Sequence, residues 1–195
     1  MTGADFARVI AAGGVVLFGA DTVYGLCCDA TNAAAVARMQ ALKGRSPRKP
    51  SAILFPSLDG ALAALPELGP RTRAAFAALL PGPLTLLVPN PARRFPLAGG
   101  ELLGVRVIEV GLGADRALLQ SSANLAGGRD PHRLGEVPAE IRAAVDLELD
   151  RGELPGTPST IVDLSSFEAD GRWSVVRQGA CSHTMLQDAL VGSGR

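Results

Sequence analysis

The sequence has few cysteines and histidines, and those it has are not spaced as metal ligands. Its 195 residues include only Cys27, Cys28, Cys181, His132 and His183. An odd number of cysteines, two of them adjacent, fits neither a disulfide framework nor a zinc site. We therefore expect reduced thiols packed as small apolar side chains, and no metal held by the side chains of the protein.

Several sequence signatures of catalysis are also absent. The chain contains no G-x-x-x-x-G-K-[ST] phosphate loop and no H-E-x-x-H pair of metal ligands. Gly111-Leu112-Gly113 lacks the third glycine of a dinucleotide fingerprint. Neither histidine lies in a G-x-S-x-G context, which argues against a serine hydrolase.

Long apolar runs and an excess of charge are missing as well. No apolar stretch approaches the length that crosses a bilayer, and the first residues lack the charged region of a signal peptide. We therefore expect a cytoplasmic protein with no membrane contact. Nineteen cations balance nineteen anions, which argues against nonspecific coating of nucleic acid. With 47% apolar and 19% charged residues, the chain is predicted to be globular.

Helical and strand patterns are interleaved along the chain. Apolar spacing and capping residues predict a first helix that follows the cap Thr2 and ends at Gly13-Gly14. They predict further helices over residues 33–42, 58–65, 71–80 and 139–144. Short apolar runs predict strands over residues 15–18, 51–55, 84–88, 105–110, 118–121, 145–149, 160–164 and 173–177. This order predicts an α/β fold, with a twisted sheet of mixed parallel and antiparallel strands flanked by helices. We expect one domain over residues 1–182 and a flexible tail over residues 183–195.

A basic segment stands out in a chain of zero net charge. Residues 43–49, Lys-Gly-Arg-Ser-Pro-Arg-Lys, place four cations around one glycine. Cations and free backbone N–H groups at helix and strand ends form anion sites. Taken alone, a block of like charge is more often a solvated surface loop.

Four polar clusters fall at the ends of predicted strands. They occupy residues 21–25, 43–51, 121–128 and 159–163. Each cluster alone is explained by turn or cap chemistry. Together they predict one pocket lined by hydroxyls, an amide and cations, which suits a phosphorylated, hydroxyl-rich ligand such as a nucleotide.

Seven motifs in one order resemble the threonylcarbamoyl-AMP synthase family, which is defined by the Sua5/YrdC/YciO domain. The motifs are Asp21-Thr-Val-Tyr-Gly-Leu26, Lys43-Gly-Arg-Ser46 with Lys49-Pro50, Pro81-Gly-Pro-Leu-Thr85, Val105-Arg106, Ser121-Ser-Ala-Asn-Leu-Ala-Gly127, Ser159-Thr-Ile-Val-Asp163 and Arg177-Gln-Gly179. They span most of the chain, and the resemblance is to the short form of the family. It implies a YrdC-like fold for the single domain.

The resemblance implies an enzyme of defined activity. Such an enzyme is an L-threonylcarbamoyladenylate synthase, a nucleotidyltransferase that makes threonylcarbamoyl-AMP and pyrophosphate from L-threonine, bicarbonate and ATP. Mg²⁺ is expected to accompany the ATP. The product is expected to serve N6-threonylcarbamoyladenosine formation at position 37 of tRNA, with tRNA and a tRNA threonylcarbamoyl transferase as candidate partners.

The resemblance also divides the polar residues between two substrates. The residues implied to meet threonine are Thr22, Arg106, Ser122 and Ser159. Those implied to meet ATP are Lys43, Arg45, Lys49, Asn124, His132 and Arg177. Among these, Lys43 and Arg45 are the implied catalytic residues.

Two other functions stay open at this point. One is a YciO-like paralogue that acts mainly as an RNA- or nucleotide-binding protein, although zero net charge and few aromatic residues argue against RNA binding as the main role. The other is a carbamoyl-adenylate site like that of the hydrogenase-maturation carbamoyltransferases. Those proteins carry additional domains, which this sequence does not show.

Overall fold

A computed structural model of the protein describes residues 3–44, 51–109 and 115–192. The helices in these ranges are α1 (Gly3–Ala11), α2 (Ala33–Leu42), α3 (Leu58–Ala64), α4 (Pro70–Leu79), α5 (Ala139–Ala144), α6 (Phe167–Asp170) and α7 (His183–Gly192). The strands are β1 (Val16–Gly19), β2 (Tyr24–Asp29), β3 (Ala52–Phe55), β4 (Leu84–Pro89), β5 (Leu102–Val107), β6 (Leu118–Ser122), β7 (Leu147–Leu149), β8 (Thr160–Asp163) and β9 (Ser174–Arg177). A short 3₁₀ turn covers Leu134–Glu136.

The nine strands of the described residues form one sheet in the order β7-β1-β2-β6-β3-β5-β4-β8-β9. The pairs β1–β7, β3–β5 and β4–β8 are parallel. The other five pairs are antiparallel. The predicted mixed sheet flanked by helices is therefore confirmed.

Strand β2 was not predicted by the sequence pattern, which indicated a polar turn followed directly by a helix. All six of its residues are buried, because it lies between β1 and β6 and both of its faces are covered. A strand buried on both faces shows no alternation of polar and apolar residues. Its first residue, Tyr24, is anchored: its hydroxyl donates to Asp150 Oδ1 at 2.5 Å and accepts from the Arg151 amide at 2.9 Å.

The central strands pack their two faces against different surroundings. Side chains at alternating positions, such as Leu103, Val105 and Val107 of β5, lie in the main core with residues of α2, α3, α4 and α7. On the other face, α1 covers a smaller core in which the rings of Phe6 and Phe18 meet edge to face, with centroids 6.1 Å apart. The part of this second face that α1 does not cover is lined by polar side chains and forms the cavity described below.

Most helix starts follow local sequence chemistry. Asn32 Oδ1 accepts from the Ala35 amide at the start of α2, and Ser57 Oγ accepts from the Gly60 amide at the start of α3. Pro70 opens α4, where its missing N–H costs no helical hydrogen bond. These helices were predicted, whereas α6 and the 3₁₀ turn were not.

The flexible tail predicted for residues 183–195 is wrong for residues 183–192. These residues form α7, which packs on α4. Leu186 and Leu190 lie one helical turn apart and are both buried in the main core. The domain therefore extends through α7, and residues 193–195 lie outside the described residues.

The three cysteines are buried and unpaired, as the sequence predicted. Burial raises the pKa of the Cys27 thiol well above its ordinary value and that of Cys28 to about 12. Both thiols are therefore protonated and unreactive at neutral pH. Over the residues that the structure describes, the helices are all too short or too polar to cross a membrane.

Candidate functional site

A cavity of about 420 Å³ lies on the face of the sheet that α1 leaves uncovered. Strands β4, β5 and β6 line it mainly with residues two apart, since alternate side chains of a strand share a face, and Ser121 adds to the lining of β6. The lining residues from these strands are Thr85, Leu87, Leu102, Gly104, Arg106, Gln120, Ser121 and Ser122. Further lining residues come from the segments around them: Thr22, Val23, Ser51, Ala52, Asp130, Pro158, Ser159, Ile161, Val176 and Arg177.

Arg106 is the more buried of the two arginines among the described lining residues, with 4% of its surface exposed. Its Nη1 donates to Gln120 Oε1 at 3.0 Å, and its Nη2 donates to Asp21 Oδ1 at 2.5 Å. Its Nε is buried and has no hydrogen-bond partner among the described residues. The guanidinium is therefore oriented by two neighbours and keeps donor capacity for a ligand.

Ser159 contacts two other residues that line the cavity. Its hydroxyl lies 3.0 Å from Thr85 Oγ1, a contact between positions 74 apart in the chain. Arg177 Nη2 donates to the Ser159 carbonyl oxygen at 2.8 Å and to its hydroxyl at 3.2 Å. The parallel pairing of β4 with β8 brings these groups together, because Leu84 is paired with Thr160.

Gly179 allows the chain to close tightly behind Ser159. A Cβ atom at position 179 would lie 2.2 Å from the Pro158 carbonyl oxygen. The Gly179 amide instead donates to Thr160 Oγ1 at 3.1 Å, as does the Cys181 amide at 2.9 Å. This close approach fixes the backbone from which the Ser159 side chain enters the cavity.

The guanidinium groups of Arg106 and Arg177 both line the cavity, and their positive charges repel each other. Burial lowers the pKa of the Arg177 guanidinium, and the charge of Arg106 lowers it further, while the charge of Asp130 acts in the opposite direction. Like charges held together in a partly buried site are stabilised by an anionic ligand. The cavity therefore favours a ligand that carries a carboxylate or phosphate.

Lys43 lies at the edge of the cavity, at the end of α2. It is buried, and its ammonium group donates to the Ser122 carbonyl oxygen and, at 3.1 Å, to Asn124 Oδ1. The Ser122 hydroxyl donates to the same Asn124 oxygen at 2.7 Å. Gly44 follows with φ of +57°, a left-handed conformation that favours glycine and turns the backbone after Lys43.

Thr22 enters the cavity from the loop between β1 and β2. It is 1% exposed, and its hydroxyl lies 3.4 Å from Asp21 Oδ1. Its carbonyl oxygen accepts from the Gly156 amide at 2.9 Å, which fixes the loop. Thr22, Arg106, Ser122 and Ser159, which were predicted to share one pocket, all line this cavity, and Arg177 lines it with them. Asn124, which was predicted to share it, and Lys43 of the basic segment are not among the lining residues.

Not every predicted site residue reaches the cavity. His132 lies on the surface, with Nδ1 at 2.9 Å from Glu136 Oε2 and Nε2 at 3.8 Å from Glu153 Oε1. It is not among the described lining residues. Arg45 and Lys49 lie outside the described residues. The ATP contacts of these three residues stay predictions.

The sequence assigned no role to four residues of the site. Gln120 and Asp21 hold Arg106, Thr85 contacts Ser159, and Asp130 lines the cavity. One signal for Gln120 was available: it lies on the strand predicted over residues 118–121, two positions before Ser122, and residues two apart on a strand share a face. The pairing of Asp21 with Arg106 depends on the order of strands in the sheet, which the sequence does not specify.

The described residues offer no ready-made metal site. No group of three or more histidine, cysteine, aspartate and glutamate side chains within them could hold a metal ion. A divalent cation at this cavity would have to take most of its ligands from a bound substrate and from water.

The chain is similar to known proteins over most of its length. The Sua5/YciO/YrdC family model, which carries the description Telomere recombination, matches residues 8–179. A threonylcarbamoyl-AMP synthase of Chromohalobacter salexigens is 38% identical over 175 residues, which cover 85% of this chain and 94% of the relative.

Two solved structures share the fold. Sua5 of Pyrococcus abyssi, complexed with L-threonine, is 26% identical with a TM-score of 0.81, over 94% of this chain and 55% of that one. YciO of Escherichia coli is 21% identical with a TM-score of 0.74, over 93% of this chain and 91% of that one, a likeness of fold alone. The range matched by the family model contains every cavity residue named above.

Proposed function

The chain belongs to the Sua5/YciO/YrdC family, and we propose that it is an L-threonylcarbamoyladenylate synthase. In this proposal it is a nucleotidyltransferase that converts L-threonine, bicarbonate and ATP into threonylcarbamoyl-AMP, pyrophosphate and water. One observation carries the proposal: the residues assigned to threonine, Thr22, Arg106, Ser122 and Ser159, line a single cavity. The names of the curated relatives and the threonine-bound Sua5 structure support it.

Threonine binding is the first task of the site. The substrate carboxylate would accept from Arg106, whose guanidinium is already oriented by Asp21 and Gln120. The hydroxyls of Ser122 and Ser159 offer donors and acceptors for the polar groups of the amino acid. Binding at fixed side chains holds the amine in one position for its reaction with bicarbonate, which lowers the entropic part of the barrier.

ATP binding and transfer are the second task. We assign the binding of the ATP phosphates to Lys43 and, from the sequence, to Arg45 and Lys49. Contacts to the rest of the nucleotide are assigned to Arg177, Asn124 and His132. A carbamate oxygen of the substrate attacks the α-phosphorus while the bond to pyrophosphate breaks. Both reactants are anionic, so fixed cations offset their repulsion and the charge that grows on the leaving group. This reaction needs no side-chain nucleophile, in agreement with the absence of a nucleophile motif in the sequence.

Mg²⁺ would arrive with ATP. We propose that it is held mainly by phosphate oxygens and water, because the described residues lack a cluster of metal-binding side chains. Its role would be to neutralise phosphate charge, and every other contact in the proposal comes from the chain itself.

The product implies a place in tRNA modification. We propose that threonylcarbamoyl-AMP passes to a tRNA threonylcarbamoyl transferase in the cytoplasm, for N6-threonylcarbamoyladenosine at position 37 of tRNA. An acyl adenylate hydrolyses readily in water, so its consumer has to act soon after release. The name shared by the curated relatives supports the product of the reaction, and its use on tRNA is what the resemblance to the family implies.

The deciding experiment is a threonine-dependent turnover assay. Purified protein is incubated with ATP, Mg²⁺, bicarbonate and L-threonine, pyrophosphate is measured, and the product is identified by mass. We expect pyrophosphate release that requires both threonine and bicarbonate and that disappears in Arg106→Ala. Pyrophosphate release that is independent of threonine would contradict the proposal. Tight RNA binding with a steep salt dependence, and no turnover, would favour the RNA-binding alternative.

A further inference from the structure

Asp130 supplies the one carboxylate among the described residues that line the cavity. Among the residues that the structure describes, its side chain has no hydrogen-bond or ion-pair partner. The other acid close to the cavity, Asp21, is already committed to Arg106. Within the described part of the chain, the cavity therefore presents a carboxylate that is not paired with a cation, and its other charged lining residues are Arg106 and Arg177.

The backbone around Asp130 is tied down on both sides. The carbonyl oxygen of the next residue, Pro131, accepts from the Tyr24 amide at 2.8 Å, at the first residue of β2. Two residues before Asp130, the Gly128 carbonyl oxygen accepts from Asn124 Nδ2 at 2.6 Å. These contacts hold Asp130 beside the segment that contributes Thr22 to the same cavity.

Charge complementarity identifies what such a cavity can bind. A carboxylate or phosphate ligand needs only the arginines, and an added aspartate would weaken its binding by repulsion. A zwitterion carries a carboxylate and an ammonium group, so it is matched by an arginine and a free carboxylate in one cavity. An α-amino acid meets this description.

We propose that Asp130 is a further catalytic residue, whose carboxylate binds the α-ammonium group of the amino-acid substrate and accepts a proton from it. This inference rests on the proposed function. It extends that function by assigning the amine, a group for which the sequence motifs provided no partner.

The chemistry requires such a proton acceptor. An ammonium group has no lone pair, so it cannot attack a carbon atom. Transfer of one proton to Asp130 leaves a neutral amine, whose lone pair forms the N–C bond to bicarbonate. The C–OH bond of bicarbonate breaks, and the hydroxyl leaves with one amine hydrogen as water. The product is the carbamate that attacks ATP, and Asp130 returns its proton to solvent.

A competing role for Asp130 is to hold Arg177. Burial lowers the pKa of Arg177 and the charge of Asp130 opposes this shift, so the two groups interact electrostatically. In this competing role, loss of Asp130 would act only through Arg177. Arg177 is assigned to the nucleotide. This competing role therefore predicts a loss of ATP binding, whereas the proposed role predicts a loss of threonine binding.

Calorimetric titration separates these roles. The wild type and Asp130→Asn are titrated with L-threonine, with 2,3-dihydroxybutyrate, which carries a hydroxyl in place of the ammonium group, and with ATP. We expect Asp130→Asn to weaken threonine binding about 10- to 100-fold, the range for a lost charge-assisted hydrogen bond. Binding of the dihydroxy acid and of ATP should change less than about twofold. Asp59→Asn, an exposed acid in α3 on the opposite face of the sheet, is the matched control.

Turnover gives an independent readout. At saturating threonine, Asp130→Asn should remain slow near neutral pH and recover in part as rising pH deprotonates the amine in solution, and Asp130→Glu should retain part of the activity. Equal losses for threonine and the dihydroxy acid, or a loss confined to ATP, would overturn the proposal. If the wild type binds ATP but not threonine, the proposed function itself fails, and the role of Asp130 fails with it.

Discussion

Arg106 and Asp21 lie 85 positions apart in the chain and are joined by an ion pair in which Arg106 Nη2 donates to Asp21 Oδ1 at 2.5 Å. The second oxygen of Asp21 is buried and has no hydrogen-bond partner in the part of the chain that the structure describes. The orientation of the guanidinium in the cavity therefore depends on the loop between β1 and β2.

The first prediction concerns this arginine. Arg106→Ala should weaken threonine binding by about 2–4 kcal/mol, because it removes a charge-assisted contact to the substrate carboxylate. ATP binding should change much less. Calorimetric titration of each ligand checks this, and equal losses for both would contradict the assignment of Arg106 to threonine.

The stability of the same variant provides the control. Removal of Arg106 leaves Asp21 without its cation, so the free energy of unfolding should fall by about 3 kcal/mol. Adding Asp21→Asn to Arg106→Ala should restore part of this loss, because no unpaired charge then remains. Urea unfolding of the single and double variants measures both values.

A second prediction uses the backbone of Gly44. This residue has φ of +57°, and a Cβ atom there would meet nothing within 4 Å, so Gly44→Ala costs only backbone strain, about 1 kcal/mol. Gly152 is a matched control, with φ of +72° and equally open space. Both alanine variants should lose similar stability, but only Gly44→Ala should lower turnover, by about tenfold, because it redirects the segment after Lys43. Equal turnover in the two variants would remove this kink from the active site.

A third prediction comes from the sequence and concerns Arg45. A guanidinium can bind two phosphate oxygens with parallel donors, whereas lysine offers a point charge. Arg45→Lys should therefore impair threonine-dependent pyrophosphate release nearly as much as Arg45→Ala, by roughly one to two orders of magnitude. Wild-type rates in both variants would show that Arg45 takes no part in the reaction.

A fourth prediction is a pH dependence of stability. The Arg38 hydrogen bond at 2.5 Å lowers the pKa of Asp146, the Val15 amide lowers it further, and burial acts in the opposite direction. Because the pKa is depressed in the folded state, its contribution is present above the unfolded value of about 3.9 and is lost as pH falls through the folded value. Asp146→Asn should cost about 1 kcal/mol at pH 7, after solvent screening is allowed for, and less below pH 4. Urea unfolding of both proteins at the two pH values tests this, and a constant difference would contradict it.

A fifth prediction tests the last helix. Leu186 is fully buried against the main core, so Leu186→Ala should lower the free energy of unfolding by about 3 kcal/mol. Met185 is 45% exposed on the same helix, and Met185→Ala should cost less than about 0.5 kcal/mol. Chemical denaturation measures both, and similar small effects would mean that α7 adds little to the core.

The parts of the fold that the sequence predicted are those in which local pattern and local chemistry agree. Helix α2 has its cap at Asn32 and its apolar face at Val36 and Met39, all within a short stretch of chain. Strand β2 and helix α7 escaped prediction because what stabilises them is distant. β2 is covered on both faces by other parts of the chain, and α7 depends on burial of Leu186 and Leu190 beside α4.

The residues of the site likewise fall into those that local motifs predicted and those that depend on contacts between distant parts of the chain. Residues such as Ser159 and Arg177 were found because their types and motifs carry chemistry, and the structure brings them within hydrogen-bond distance. Gln120 was missed because a single glutamine in a strand has no distinctive pattern, and its value comes only from facing Arg106 across the sheet. The role of Asp130 likewise follows from which charges share its cavity.

The alternation along β5 sets a limit on how this protein can change. Arg106 faces the cavity while Val105 and Val107, on either side of it, are buried in the main core. Deleting or inserting one residue early in this strand would turn the arginine into the apolar core and a valine toward the substrate. The apolar residues of this strand can be exchanged for one another, but its length cannot change. Related chains should therefore place their insertions and deletions in the loops.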